Sequence, residues 1–103
     1  GRVVNFSTSG TADMTGIIVS GNYVVDFSNG AQPAVEFGGG CSRIQCNANI
    51  STTTASATYP YFIQIDTGAN YYVITNNLAS GVVATATVRE VTAGANRVVA
   101  NNL

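Results

Sequence analysis

Two cysteines carry the most reactive side chains in this sequence. Cys41 and Cys46 are separated by Ser-Arg-Ile-Gln in segment 41–49, which follows three glycines and is predicted to be a loop. The spacing is not that of a redox CxxC motif, and a zinc site lacks ligands because the chain has no His. The spacing favours one local Cys41–Cys46 disulfide, with two free thiols or an intermolecular bond as alternatives. A disulfide would place the protein outside the cytosol.

Catalytic side chains are scarce. The chain has no His and no Lys, so Ser–His, Cys–His and Ser–Lys pairs are impossible. The carboxylates of Asp26 and Glu36 lie on strands predicted to be joined by one turn, but a domain of 103 residues seldom provides the cleft that such a pair needs. Segment 66–70 does not match a calcium loop, and we interpret it as a turn. The sequence therefore predicts a protein that is not an enzyme, with no catalytic residue, cofactor or metal.

Aromatic residues are the remaining candidates for binding. One face of the predicted sheet would bury its aromatic rings, whereas rings on the other face would suit sugar stacking or a protein interface. Core packing is the alternative. The possible binding surface consists of Phe62, Tyr72, Tyr59 and Tyr61.

Charge excludes other classes of partner. The four basic residues are all Arg, five acids balance them, and the net charge is −1. Nucleic-acid binding depends on clustered Lys and Arg, so it is not expected. No apolar run reaches the 18 residues of a membrane span, and no signal peptide is recognisable, so a secreted protein would be in its mature form.

Alternation of apolar and polar residues is the main structural signal. Segment 59–91 reads as three strands separated by turns, and Gly21-Asn22 between two β-rich runs is a hairpin signal. Asn22-Tyr23-Val24-Val25 resembles 70–73, which we interpret as chance similarity. About eight or nine short strands predict a single all-β domain over 1–103. The expected fold is an antiparallel β-sandwich, Ig-like or Greek-key, with a small barrel as the alternative.

Two functions from different classes fit these features. The first is a secreted structural or adhesive subunit at the cell surface, fibre- or pilin-like, that self-associates into filaments because few charges block its sheet edges. The edge-pairing residues are expected in two short end strands and are Val3, Val4, Phe6, Val98 and Val99. The second is a small secreted binding module, lectin-like or an inhibitor, that uses loops and exposed aromatic residues to bind a glycan or a protein.

Overall fold

The protein is all-β, and its strands form three parallel sheets. The structure, a computed structural model, describes residues 4–7, 13–25, 32–52, 61–80 and 86–103. The first sheet contains β1 (Val4–Phe6), β4 (Val35–Phe37), β7 (Ile63–Ile65) and β10 (Val88–Glu90). The second sheet contains β2 (Met14–Ser20), β5 (Cys41–Asn47), β8 (Asn70–Thr75) and β11 (Arg97–Ala100). The third sheet contains β3 (Tyr23–Val25), β6 (Ile50–Thr52) and β9 (Leu78–Ser80).

Consecutive strands belong to different sheets, and the chain returns to the same sheet one coil later. In the first sheet the register aligns Val4, Val35, Ile63 and Val88, so successive coils are 31, 28 and 25 residues apart. Every strand therefore pairs in parallel with its equivalent in the next coil. This arrangement is a parallel β-solenoid, in which each coil contacts only its neighbours. The described residues contain three coils with all three strands and a fourth coil formed by β10 and β11.

The predicted antiparallel sandwich is therefore wrong, and so is the barrel alternative. Residue alternation with period two identifies strands that bury one face, but it carries no information about the direction of the neighbouring strand. The Gly21-Asn22 hairpin illustrates the error, because β2 and β3 lie in different sheets and do not pair. Gly21 adopts a positive φ of 71°, as a turn signal suggests, but the turn leads the chain around a corner of the coil.

The core consists of rows of inward side chains that stack from coil to coil. One row of the second sheet aligns Val19, Cys46, Ile74 and Val99, and Cys46 and Ile74 are completely buried. In the first sheet, the parallel rings of Phe6 and Phe37 stack with their centroids 5.4 Å apart. Burial of each large apolar side chain is worth about 1.5–3 kcal/mol. These rows therefore hold adjacent coils together.

The described residues include no helix long and apolar enough to span a membrane.

Candidate functional site

An asparagine occupies the same corner of every coil, between the second and third sheets. The four residues are Asn22, Asn49, Asn77 and Asn102, spaced by 27, 28 and 25 residues. Asn49 and Asn77 are almost completely buried. The residue before each asparagine has a positive φ of 56–71°, which turns the chain and directs the amide inward; these residues are Gly21, Ala48, Asn76 and Asn101.

The side chains form a hydrogen-bonded ladder with one direction. The backbone N–H and Nδ2 of Asn22 both donate to Oδ1 of Asn49, at 3.1 and 2.9 Å, and Asn49 and Asn77 repeat both bonds to the next coil. Nδ2 of Asn49 also donates back to the carbonyl of Val19 at 3.0 Å. Each buried amide is therefore satisfied from both neighbouring coils, as buried polar groups require. The ladder is structural, and no described residue donates to Oδ1 of Asn22.

A row of bulges on the outward face of the second sheet lines a shallow groove. Gly16, Arg43 and Tyr71 occupy equivalent places in three coils, have positive φ values of 77°, 53° and 54°, and are skipped by the strand register. Each breaks the inward–outward alternation of its own strand as a bulge does, although all three strands share the break and the register on both sides of it is unchanged. The groove has a volume of about 460 Å³, and its walls include the neighbouring outward row Ile18, Gln45 and Val73.

Arg43 is the cation of this groove. Its guanidinium carbon lies 5.1 Å from the centre of the Tyr71 ring, which is a cation–π distance. Within the part of the chain that the structure describes, no carboxylate pairs with Arg43. On the other side of Arg43, the equivalent position is Gly16, where an added Cβ would meet no atom within 4 Å. One face of the guanidinium is therefore covered by a ring, and the equivalent position in the preceding coil adds no side chain beside it.

A second cavity lies at the exposed side of the first coil. It has a volume of about 340 Å³, and core residues such as Val4, Val19, Val24 and Val35 line it together with Asn22. In later coils the preceding coil covers the equivalent rows. Among the described strands, β1, β2 and β3 each have a partner on one side only.

The fourth coil places a charged pair where earlier coils place apolar side chains. Glu90 takes the inward position that follows Ile65 in its row, and Arg97 takes the position that follows Tyr72. Arg97 donates to the Glu90 carboxylate at 2.6 Å, and the Tyr72 hydroxyl donates to the same oxygen. Burial raises the pKa of Tyr72, and its hydrogen bond to Glu90 raises this pKa further. The Glu90 carboxylate, the Arg97 guanidinium and the Tyr72 hydroxyl therefore have hydrogen-bond partners in one another at the edge of the core.

Both cysteines are free in the structure, and the predicted disulfide is not formed. Segment 41–47 is strand β5 instead of a loop, so the two cysteines lie five positions apart along an extended chain. At about 3.3 Å per residue their Cα atoms would be roughly 16 Å apart, whereas a disulfide needs less than about 7 Å. Both side chains face the core. Burial raises the pKa of Cys46 to about 12 and also raises the pKa of Cys41.

Two of the four residues predicted for the aromatic binding surface do not reach the surface. Phe62 and Tyr72 are buried in the core, because both point inward in a coil that closes around its own apolar rows. Tyr61 is half-buried with Arg89 over its ring, 5.7 Å from the ring centre to the guanidinium carbon. Tyr59 lies outside the described residues. Within the described ranges, the exposed aromatic residues on the sheet faces are instead Tyr23 and Tyr71.

The predicted edge residues lie on outermost strands where they are described. Val4 and Phe6 belong to β1, and Val98 and Val99 belong to β11. Val3 lies outside the described residues.

The carboxylates are not assembled into a site by the described chain. Asp26, which was predicted to approach Glu36, lies outside it. Glu36 is on the outward face of the first sheet, and Nε2 of Gln64 lies 3.5 Å from its carboxylate. In the ranges that the structure describes, no group of three or more His, Cys, Asp or Glu side chains is placed to hold a metal ion.

Sequence reasoning missed both the ladder and the groove. The signal for the ladder was a repeat of asparagine at 25–28 residues, with Gly or Asn before three of the four, although coils of unequal length weaken a search for a fixed period. The similarity of 22–25 to 70–73 did not reveal it, because Tyr23 aligns with Ile50 and Leu78. Comparison of the chain with protein families, with curated proteins and with solved structures finds no match.

Proposed function

We propose that this protein is a structural subunit that self-associates through the edges of its sheets, with the last coil of one copy stacked on the first coil of the next. The observation that carries the proposal is the first coil, where an apolar cavity of about 340 Å³ and three strand edges adjoin the acceptor end of the ladder. Unpaired strand edges beside apolar side chains are a template for pairing with another chain.

The direction of the ladder supports a head-to-tail joint. Oδ1 of Asn22 has no described donor, whereas in Asn49 the same atom accepts two N–H groups from the preceding coil. At the other end, Asn102 donates from Nδ2 to the carbonyl of Ile74, and no described residue accepts from its backbone N–H. A second copy that adds its first coil after Asn102 would continue the ladder with the same bonds.

The side chains also match across such a joint. Continuation of the register would place Val99 against Val19 of the next copy in the inward row, and Val98 against Ile18 in the outward row. The Glu90–Arg97 pair is already satisfied within its own coil, so it weakens the contact without leaving a new buried charge unpaired. A head-to-tail contact of this kind, which stacks copies along one axis, does not close into a ring and generates filaments.

Cysteine cross-linking of mixed variants tests the joint. The backbone N–H of Leu103 donates to the carbonyl of Asn77, and its carbonyl accepts from Ala79, so Leu103 occupies the register of Leu78 in the third sheet. In a head-to-tail joint, Leu103 of one copy would therefore lie beside Tyr23 of the next. We expect an equimolar mixture of Tyr23→Cys and Leu103→Cys to form mixed disulfide dimers, while each variant alone stays uncross-linked.

Other outcomes separate the alternatives. A disulfide that forms between two copies of Tyr23→Cys alone would indicate a head-to-head joint and would contradict the head-to-tail arrangement. Sedimentation that shows a strict monomer at the highest accessible concentration would contradict self-association itself. The native thiols interfere little, because burial raises the pKa of Cys41 and Cys46 and lowers the fraction of reactive thiolate.

We also propose that the subunit acts outside the cell. Its support is compositional, since charged residues make up only 9% of the chain and uncharged polar residues replace them. The cysteines no longer support this location, because the disulfide is not formed. Antibody detection in culture medium, cell-surface and cytosolic fractions tests it, and confinement to the cytosolic fraction would contradict it.

A further inference from the structure

We propose that the groove on the outward face of the second sheet binds a short acidic oligosaccharide, with a sugar carboxylate on Arg43. The groove includes Gly16 and Ile18 of β2, an edge strand that the proposed self-association would pair with β11 of another copy, but it lies on the face of the sheet and not along the hydrogen-bonding edge of that strand. Its lining combines one cation, one amide and one phenol with aliphatic side chains, and these groups come from three successive coils.

Arg43 determines the charge of the ligand. Its ring contact with Tyr71 leaves the hydrogen-bonding edge of the guanidinium available, and no described carboxylate occupies that edge. Arginine forms two parallel hydrogen bonds with a carboxylate, and the planar fork fixes the orientation of its partner. The stacked ring restrains the guanidinium, so less side-chain entropy is lost when a ligand binds.

The shape beside Arg43 selects a ring that carries its carboxylate at the edge. Where Arg43 and Tyr71 present side chains, Gly16 presents none, and the space above it is open. A sugar ring can occupy that space and turn its carboxylate to the guanidinium. The adjacent outward row offers aliphatic contact for the C–H face of the sugar, since Ile18 is 70% exposed and Val73 is 43% exposed. Gln45 lies between them in the row and supplies both a donor and an acceptor for hydroxyl groups.

An acidic peptide fits the same groove less well. Extended peptides usually bind to a sheet through main-chain hydrogen bonds at an exposed edge. Here the groove lies on a sheet face, and its middle strand β5 has partners on both sides. A peptide backbone would therefore lose hydrogen bonds to water without replacement, whereas sugar hydroxyls in an open groove stay hydrated.

Titration with a trimer of galacturonic acid, followed by amide NMR shifts at low salt, tests the proposal. We expect the shifts to centre on Ile18, Arg43, Gln45 and Tyr71. Arg43→Gln should weaken the affinity by about ten-fold or more, because the hydrogen bonds to a charged group are lost. The methyl-esterified trimer, which has the same rings without the charge, should not bind in the same concentration range.

Arg89→Gln is the matched control. Arg89 is an exposed arginine over the ring of Tyr61 on the first sheet, so its substitution removes the same charge from a similar pair outside the groove. We expect this variant to bind the trimer within about two-fold of the parent protein, since Arg89 does not line the groove and cannot form the paired hydrogen bonds with the sugar carboxylate there. Equal losses in the two variants, shifts outside the groove, or equal affinity for a glutamate peptide of the same charge would each overturn the proposal.

Discussion

Replacement of Asn49 by alanine is the most direct test of the ladder. The Asn49 side chain is completely buried and makes four hydrogen bonds between nitrogen and oxygen: two accepted from Asn22, one donated to Asn77 and one donated to Val19. A hydrogen bond in a folded protein contributes about 1 kcal/mol net, and a buried group that loses its partner costs about 1–3 kcal/mol. We therefore expect Asn49→Ala to lower the free energy of unfolding by about 3–5 kcal/mol.

Asn22→Ala provides the matched control at the exposed end of the same ladder. This substitution removes the 2.9 Å bond from Nδ2 to Asn49 and a weaker 3.4 Å bond to the carbonyl of Ser20. The backbone N–H of Asn22 keeps its bond to Asn49, and the site is open to water. The expected loss is about 1 kcal/mol or less.

Urea unfolding, followed by far-ultraviolet circular dichroism and tyrosine fluorescence, measures the difference. With a slope of about 2 kcal/mol per molar urea, the midpoints of Asn22→Ala and Asn49→Ala should differ by about 1–2 M. Coincident transitions with both probes are needed, because a solenoid can unfold coil by coil. A loss below about 1 kcal/mol for Asn49→Ala, or equal losses in both variants, would refute the ladder as a source of stability.

Three further predictions concern other parts of the fold. Burial and Glu90 raise the pKa of Tyr72 in the folded chain, so the free energy of unfolding should be constant below the unfolded pKa of about 10 and should fall as the pH rises through the folded pKa. In urea titrations at a series of pH values, Tyr72→Phe should reduce that fall. An unchanged pH profile would contradict the direction of the pKa shift. Cys41 and Cys46 should react slowly with a thiol reagent in native protein and quickly in urea, and a mass increase of two hydrogens on reduction would show that a disulfide exists instead. Gly39→Ala should lower the free energy of unfolding by about 1–3 kcal/mol, because its Cβ would lie 2.6 Å from a carbonyl oxygen in the next coil. Gly21→Ala should lower it by about 1 kcal/mol, because no atom lies within 4 Å of the added Cβ and only the positive φ opposes the change. Equal shifts of the melting temperature in the two variants would contradict the close approach of the coils.

Strand content was predictable from the sequence because burial of one sheet face requires apolar and polar residues to alternate along the strand. The alternation in 70–75 marks β8, with Tyr72 and Ile74 buried and Tyr71 and Val73 exposed. The turn at Thr67-Gly68 was also predictable from its residue types, and Gly68 has a φ of 101°. These signals involve only neighbours in sequence, so they survive without knowledge of which strands pair.

Strand pairing was not predictable in the same way, because it depends on residues 25–31 positions apart. A turn such as Gly21-Asn22 looks the same locally whether the next strand folds back or continues around a corner. The burial of Phe62 and Tyr72 was missed for a related reason. Tyr72 and Phe62 were assigned to an outer face, but a coil of three sheets encloses one interior, and both side chains point into it.

The groove illustrates a further limit of residue alternation. Inward residues of β5 are Cys41, Ile44 and Cys46, so the spacing changes from three to two within one strand. The bulge at Arg43 causes the change, and its positive φ of 53° places a cation on the outward face. A strict period of two assigns Ile44 and Cys46 to the face opposite Cys41, which hides both the bulge and the groove that its repetition builds.

The ladder also explains how the coils keep a single register. Apolar rows alone tolerate a slip of two residues, because such a slip returns every inward side chain to the core. A buried asparagine does not tolerate it, since Asn49 would then lose Oδ1 of Asn77 as an acceptor and leave amide groups unpaired in the core. The corner therefore specifies alignment while the apolar rows supply most of the attraction. By the same reasoning, a chain segment that pairs with the first coil must present N–H donors at Asn22, and a copy of the last coil that brings the donors of Asn102 meets this requirement.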